Sequence, residues 1–310
     1  MQVTANGIRL EVEDHGSPSG EPLLLIMGLG MQLLGWPDDF VAMLVARGFR
    51  VIRFDNRDIG LSQGFDADGV PNLAFDSLRY TFGLRVKSSY TLADMAADSI
   101  GVLDALGIAR AHVCGASMGG MIAQHVAILA PDRVKSLTLI MTSSGARRLP
   151  GPTLKVRTAM ISRPADPGSV ASIVEHYVHL YALIGSPAFA TAPAELRARF
   201  TTSVLRSYRP AGTARQMVAI AADGDRTPLL ARIRVPTQII HGAADKLVPV
   251  AAGRDLHARI EGAAIDVIDG MGHDLPAALW SRFVADIATV AARAPTSAGD
   301  RKQPAAAPMA

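Results

Sequence analysis

The sequence holds a single cysteine, Cys114. An intrachain disulfide is therefore excluded, as is any zinc site built on two or more cysteines. No apolar run approaches the roughly 20 residues that a membrane-spanning helix needs. The opening segment, MQVTANGIRLEVEDHG, is polar and acidic. It lacks the basic stretch and following apolar stretch of a secretory signal. A basic stripe is missing too. Net charge is only +3, the isoelectric point is near 9.2, and the densest cationic spots are RVKSS, ARR and DRK. This argues against a nucleic-acid partner. Charged residues make up 19 % of the chain, which argues against global disorder. These absences leave a soluble cytoplasmic protein as the expectation.

What is present is apolar and periodic. The 310 residues are 49 % hydrophobic, enough for one large α/β domain with an insertion or for two modest domains. NGIRLEVEDHG alternates as an exposed antiparallel strand does. Short apolar runs then recur: PLLLIMG, FRVIRFDN, AHVCGAS, SLTLIMTSS, TQIIHGAAD and IDVIDGMGH. Runs of this kind between helical patterns predict a mostly parallel sheet covered on both faces. A helix is expected from Asp38 to Arg47. Another follows Thr91, with Asp94 completing a capping box, Leu92, Met95, Ala96, Leu103 and Leu106 on one face, and Gly107 ending it. SMGGMIAQHVAILAP reads as a third. Strand signals stop between Gly145 and about Arg226, where SVASIVEHYVHLY and AELRARFTTSVLRSY are amphipathic. The expected division is a core over 1–144 and 227–292, a helical insertion over 145–226, and a disordered tail over 293–310.

One stretch carries chemistry. GASMGG, residues 115–120, places Ser117 between a predicted strand and a predicted helix. G-x-S-x-G in that context is a nucleophile elbow. Small neighbours let strand and helix approach, and the turn lifts the hydroxyl above the sheet edge. The helix N-terminus then offers N–H groups to a developing negative charge. A serine hydroxyl needs a base, and the base needs an orienting acid. In chain order these should be Ser, Asp or Glu, then His, each just past a strand. Asp245 follows TQII, and His273 follows the last strand and a Gly-Met-Gly turn.

On these residues the chain resembles the α/β-hydrolase superfamily over about 1–145 and 226–290. Within it the chain is most similar to the aclacinomycin methylesterase-like carboxylesterases, through MGLGMQLLGWPDDF, VIRFDNRDIGLSQ and GASMGGMIAQHVA. The resemblance implies an α/β-hydrolase fold, a mostly parallel central sheet flanked by helices, with the insertion as a cap over the site. It implies Ser117, Asp245 and His273 as the catalytic triad. It implies an oxyanion hole from the backbone of Met118 and of the Met27-Gly28-Leu29-Gly30 loop. Relatives usually carry His-Gly-x in that loop; Met27 replaces the histidine, and Leu29 is the candidate donor. DNRDIGLS stands for the usual D-x-R-G-x-G-x-S loop, with Asp58 where glycine is common. Asp55, Arg57, Gly60 and Ser62 read as organisers of that loop.

Other residues have plainer readings. His241 precedes Gly242 as a structural histidine does in relatives. His112, His125, His176, His179 and His257 lack partners at ligand spacing, and Cys114 reads as a buried inert thiol. Asp223, Asp225 and Asp269 are second-choice acids, and Asp274 should point away from the serine. Gly28, Trp36, Met121, Met141, Tyr177, Tyr181 and Met271 are expected around a soft apolar pocket. The expected activity is hydrolysis of a small to medium apolar carboxylic ester through an acyl-enzyme, with no metal or organic cofactor. A perhydrolase, a lactone or polyester hydrolase and a proline iminopeptidase share the pattern. The iminopeptidase would use an acid such as Glu175 or Glu195. A non-enzymatic ligand receptor could also keep the three residues.

Overall fold

The computed structural model describes residues 1–295. Most of the tail expected over 293–310 lies outside the described residues. Eight strands form one sheet in the order β1-β2-β4-β3-β5-β6-β7-β8. They are β1 (Gln2–Ala5), β2 (Ile8–His15), β3 (Glu21–Ile26), β4 (Phe49–Phe54), β5 (Ala111–Ala116), β6 (Val134–Ile140), β7 (Thr237–Gly242) and β8 (Ala264–Ile268). β2 pairs antiparallel with β1 and β4, and every pairing from β4 to β8 is parallel.

Helices cover both faces, which is why the central strands read as continuous apolar runs. In β3, Leu24 and Ile26 enter one core layer, and Leu23 and Leu25 enter the other. The first layer is closed by α3 (Leu92–Ala105) and α4 (Met118–Leu129), the second by α1 (Asp38–Ala46) and α11 (Trp280–Ala292). α3 starts where the capping box places it. Thr91 Oγ1 accepts from the Asp94 N–H at 3.1 Å, and Asp94 Oδ2 accepts from the Thr91 N–H at 2.8 Å. It stops at Gly107, whose φ is +66°. Two further helices are α2 (Leu73–Thr81), which buries none of its residues, and α10 (Ala251–Arg259).

Between β6 and β7 the chain forms α5 (Leu154–Ile161), α6 (Val170–Ile184), α7 (Pro193–Arg206), α8 (Pro210–Asp223) and the short α9 (Thr227–Leu230). α6 and α7 make their own cluster from Ile173, Val174, Val178, Leu196, Phe200 and Val204. This segment is fastened to the loop after β4 by buried ions. Arg215 of α8 grips Asp58 through Nε and Nη2 at 2.6 and 2.7 Å. Tyr90 Oη donates to the same carboxylate at 2.9 Å. Burial alone would raise the Asp58 carboxyl, but Arg215, the Phe65 N–H and Tyr90 hold it below the usual range. Asp58 is thus a structural anchor. Its neighbours organise the loop as expected: Asp55 accepts from the Leu33 and Leu61 N–H groups, Ser62 donates to the Asp55 carbonyl, and Arg57 pairs with Asp98.

Candidate active site

β5 ends at Ala116, and the chain turns into α4 through Ser117 at φ 55°, ψ −120°. That conformation is unfavourable for a residue with a side chain, by roughly 1–3 kcal/mol. It is held by hydrogen bonds of the Ser117 backbone. The Ser117 N–H donates to the Ile140 carbonyl at 2.9 Å, and the Ser117 carbonyl accepts from Thr142 Oγ1 at 2.7 Å and from the Gly120 N–H at 2.9 Å. Glycines are required by contact. A Cβ on Gly119 would lie 2.0 Å from the Ile26 carbonyl oxygen, and one on Gly115 would lie 2.2 Å from the Gly119 carbonyl oxygen.

Asp245 stands in the loop after β7. Its Oδ1 accepts from the Leu247 and Val248 N–H groups at 2.9 and 2.8 Å. Its Oδ2 lies 2.7 Å from His273 Nδ1. Nδ1 therefore carries the proton, which leaves Nε2 as the acceptor facing Ser117 Oγ at 2.9 Å. The three residues named from chain order meet in one hydrogen-bonded line, at the carboxyl ends of β5, β7 and β8. His273 is anchored from outside the sheet as well: its N–H donates to the Ile184 carbonyl at the end of α6, at 2.7 Å. Beside it, the Gly272 N–H donates to Ser186 Oγ at 2.8 Å, and Ser186 donates to Asp274. Burial raises the Asp274 carboxyl against the pull of Ser186.

Gly28 passes directly beside the elbow, where an added Cβ would sit 3.1 Å from Ser117 Cβ. Among the described residues, the Leu29 and Met118 N–H groups have no hydrogen-bond partner. His241 is buried. Its Nε2 donates to the Val248 carbonyl at 2.8 Å, and Nδ1 faces Gly253 without a partner. Burial holds its pKa below the usual histidine value. His125 pairs with Asp223 at 2.7 Å, which occupies both. Glu175 is exposed and bonded to Arg197, and Glu195 is exposed. Neither acid lines either of the two cavities that Met31 borders.

Two small cavities open between the sheet end and α6–α8. One, of about 30 Å³, is lined by Met27, Met31, Met141, Tyr181, Arg199 and Asp274, among others. The other, of about 20 Å³, is lined by Met31, Gln32, Tyr177, Phe200, Tyr208 and Arg209, among others. Met141 and Tyr181 line the first cavity and Tyr177 lines the second. Trp36, Met121 and Met271 line neither. Trp36 is fully buried just before α1 and stacks on Phe40 in the first turn of that helix at 5.8 Å. Met271 fills the layer under α11, and Met121 the layer under α3. Arg199 and Asp274 had no motif to announce them, although Asp274 adjoins His273 in sequence.

Among the described residues no helix is long and apolar enough to cross a membrane, and no group of three or more His, Cys, Asp or Glu is placed to hold a metal. A family model described as alpha/beta hydrolase fold matches residues 21–276. The rhodomycin D methylesterase DauP of Streptomyces sp. (strain C5) is 30 % identical over 306 residues, covering 92 % of this chain and 95 % of the relative. A putative carbamate hydrolase, RutD of Variovorax paradoxus (strain S110), is 27 % identical, over 89 % and 95 % of the two chains. The enol-lactonase of Burkholderia xenovorans LB400 superposes with a TM-score of 0.68 at 26 % identity, over 94 % and 99 %. Strand order, elbow geometry and the matched family model agree: the chain belongs to the α/β-hydrolase fold family and lies near its methylesterases, as the aclacinomycin methylesterase-like motifs implied.

Proposed function

We propose that this protein is a serine-dependent carboxylic ester hydrolase. The observation that carries the reading is His273 bridging Ser117 Oγ at 2.9 Å and Asp245 Oδ2 at 2.7 Å. His273 Nε2 takes the proton as Ser117 attacks the ester carbonyl. Asp245 stabilises the imidazolium that results. The oxyanion is received by the Met118 N–H, at the start of α4, and by the Leu29 N–H. His273 returns its proton to the leaving alkoxide. Water activated by the same nitrogen then frees the acid from Ser117.

Similarity to methylesterases favours an ester with a small alcohol, and the cavity lined by Met27, Met31 and Met141 suits an apolar acyl group. The likeness to an enol-lactonase keeps cyclic esters within the same chemistry. Helices α5–α8 act as the cap. A bound ligand of ordinary size needs several hundred Å³, so the helices or the methionines must shift to admit one. The test is turnover of a p-nitrophenyl ester series from acetate to long acyl chains, with Ser117→Ala alongside. A loss of about 10⁴-fold or more in the variant supports the reading. Equal turnover by both proteins overturns it.

A further inference from the structure

The loop that carries Leu29 is pinned on both sides by side chains from other parts of the chain. Asn56 Nδ2 donates to the Met27 carbonyl at 2.8 Å. The Gly30 N–H donates to Gln216 Oε1 at 2.9 Å. Gln216 is fully buried on α8. Its Nε2 donates in turn to the Arg57 carbonyl at 2.9 Å. One carboxamide therefore joins two core loops, and its orientation is dictated by what each loop offers: an N–H from Gly30 and a carbonyl from Arg57. Its neighbour Arg215 is ion-paired to Asp58, which resists sliding of α8 along the loop. α8 also lies directly on the loop, since a Cβ on Gly30 would meet Thr213 at 2.9 Å. Leu29, with its unpartnered N–H, falls between the two pins.

A buried amide bonded at both ends is a costly way to fill space that leucine or methionine would fill. We infer that Gln216 is a positioning residue for the oxyanion hole. Through Gly30 it holds the Leu29 N–H beside Ser117, so that helix α8 sets the second donor. This rests on the serine-hydrolase reading above. It also makes the hole conditional: the donor is in place only while α8 is seated on the core.

The experiment compares wild type, Gln216→Met, Gln216→Glu and Ser117→Ala. Each is assayed for p-nitrophenyl butyrate hydrolysis and for inhibition by a phenyl trifluoromethyl ketone, which forms a tetrahedral oxyanion adduct on an active serine. Methionine keeps the volume and loses both bonds; glutamate keeps an acceptor for Gly30. In Gln216→Met, kcat should fall about 10- to 100-fold with KM within about threefold, and the ketone should bind more weakly by a matching factor. Gln216→Glu should recover at least about fivefold of that loss. A role in stability alone would lower the melting temperature and leave ketone affinity unmoved. If Gln216→Met fails to fold, Gln216→Asn, whose shorter arm draws back from Gly30, is read in its place by the same two measurements. The positioning role is overturned if kcat and ketone affinity stay within twofold of wild type, or if Gln216→Glu is no better than Gln216→Met, while Ser117→Ala is inactive. Equal hydrolysis by wild type and Ser117→Ala would overturn the serine-hydrolase reading itself.

Discussion

Replacing Arg215 by methionine should destabilise this protein by about 3–5 kcal/mol at pH 8, the usual result of stranding one partner of a buried ion pair. Asp58 is 0 % exposed and Arg215 is 3 % exposed. The Asp58 carboxylate accepts from Arg215 Nε and Nη2, from Tyr90 Oη and from the Phe65 N–H. Two of these four donors, and the only full positive charge among them, leave with the guanidinium. In the wild type the folded carboxyl titrates below its unfolded value of about 3.9, so the pair adds stability above that pH and loses it as pH falls through the folded value. In the variant, burial prevails and the folded carboxyl titrates above its unfolded value. Ionisation then works against folding as pH rises. The gap between the two proteins should be widest near pH 8 and narrow toward pH 4. Urea denaturation at pH 8 and pH 5 reads it directly. Adding Asp58→Asn to Arg215→Met should restore at least half of the loss, since asparagine tolerates the φ of +74° found there. A gap below about 1 kcal/mol at pH 8, or one that does not change with pH, would refute the reasoning.

Ser117→Gly should abolish ester hydrolysis and raise the thermal midpoint by a few degrees, because glycine adopts φ 55° without the strain that serine bears; a lowered midpoint in calorimetry would count against stored strain at the elbow. Gly28→Ala should keep the fold and lower kcat by roughly 10-fold or more, since its Cβ presses on Ser117 at 3.1 Å and on the Ala116 carbonyl oxygen at 3.2 Å; steady-state kinetics with an ester substrate checks it. His112 is lowered to about 4 by burial and by nearby Lys135, and His241 is lowered by burial. Each binds fewer protons folded than unfolded below about pH 6.5, so stability is full above that pH and falls toward pH 5. Melting temperatures measured across this range should flatten in His112→Gln with His241→Gln.

The strands were legible because both faces of the sheet are covered: an interior parallel strand carries adjacent apolar residues, as Leu23 to Ile26 in PLLLIMG and Ile239 and Ile240 in TQIIHGAAD do. α3 was legible because its cap is local, three residues from Thr91 to Asp94. Ser117, Asp245 and His273 could be ordered along the chain because each must follow a strand end. Other features leave no local trace. α2 buries nothing: its apolar Phe75 and Leu78 stay exposed, so its sequence pattern does not correspond to a core face. Trp36 reads like a pocket wall in an entrance loop until the start of α1 brings Phe40 against it. Gln216 meets Gly30 across 186 positions, and Arg199 reaches the cavity only through the packing of α7 on α6. Such contacts are products of tertiary structure, and nothing in the neighbouring residues encodes them.

The hydrogen bond from the His273 backbone to the Ile184 carbonyl has a consequence for how proteins of this shape can be recombined. The 145–226 segment looks like a cassette, bounded by two strands and free to be exchanged for the equivalent piece of a relative. Yet residues 184–188 inside it support the histidine loop: Ser186 takes the Gly272 N–H, the Ala188 N–H reaches the Gly270 carbonyl, and a Cβ on Gly272 would collide with Gly185. A graft cut at the strand ends replaces the support on which the His273 loop rests along with the helices around it. Chimeras that keep residues 184–188 native, and exchange only the helices around them, are the ones in which the hydrogen bonds of His273 to Ser117 and Asp245 stay aligned.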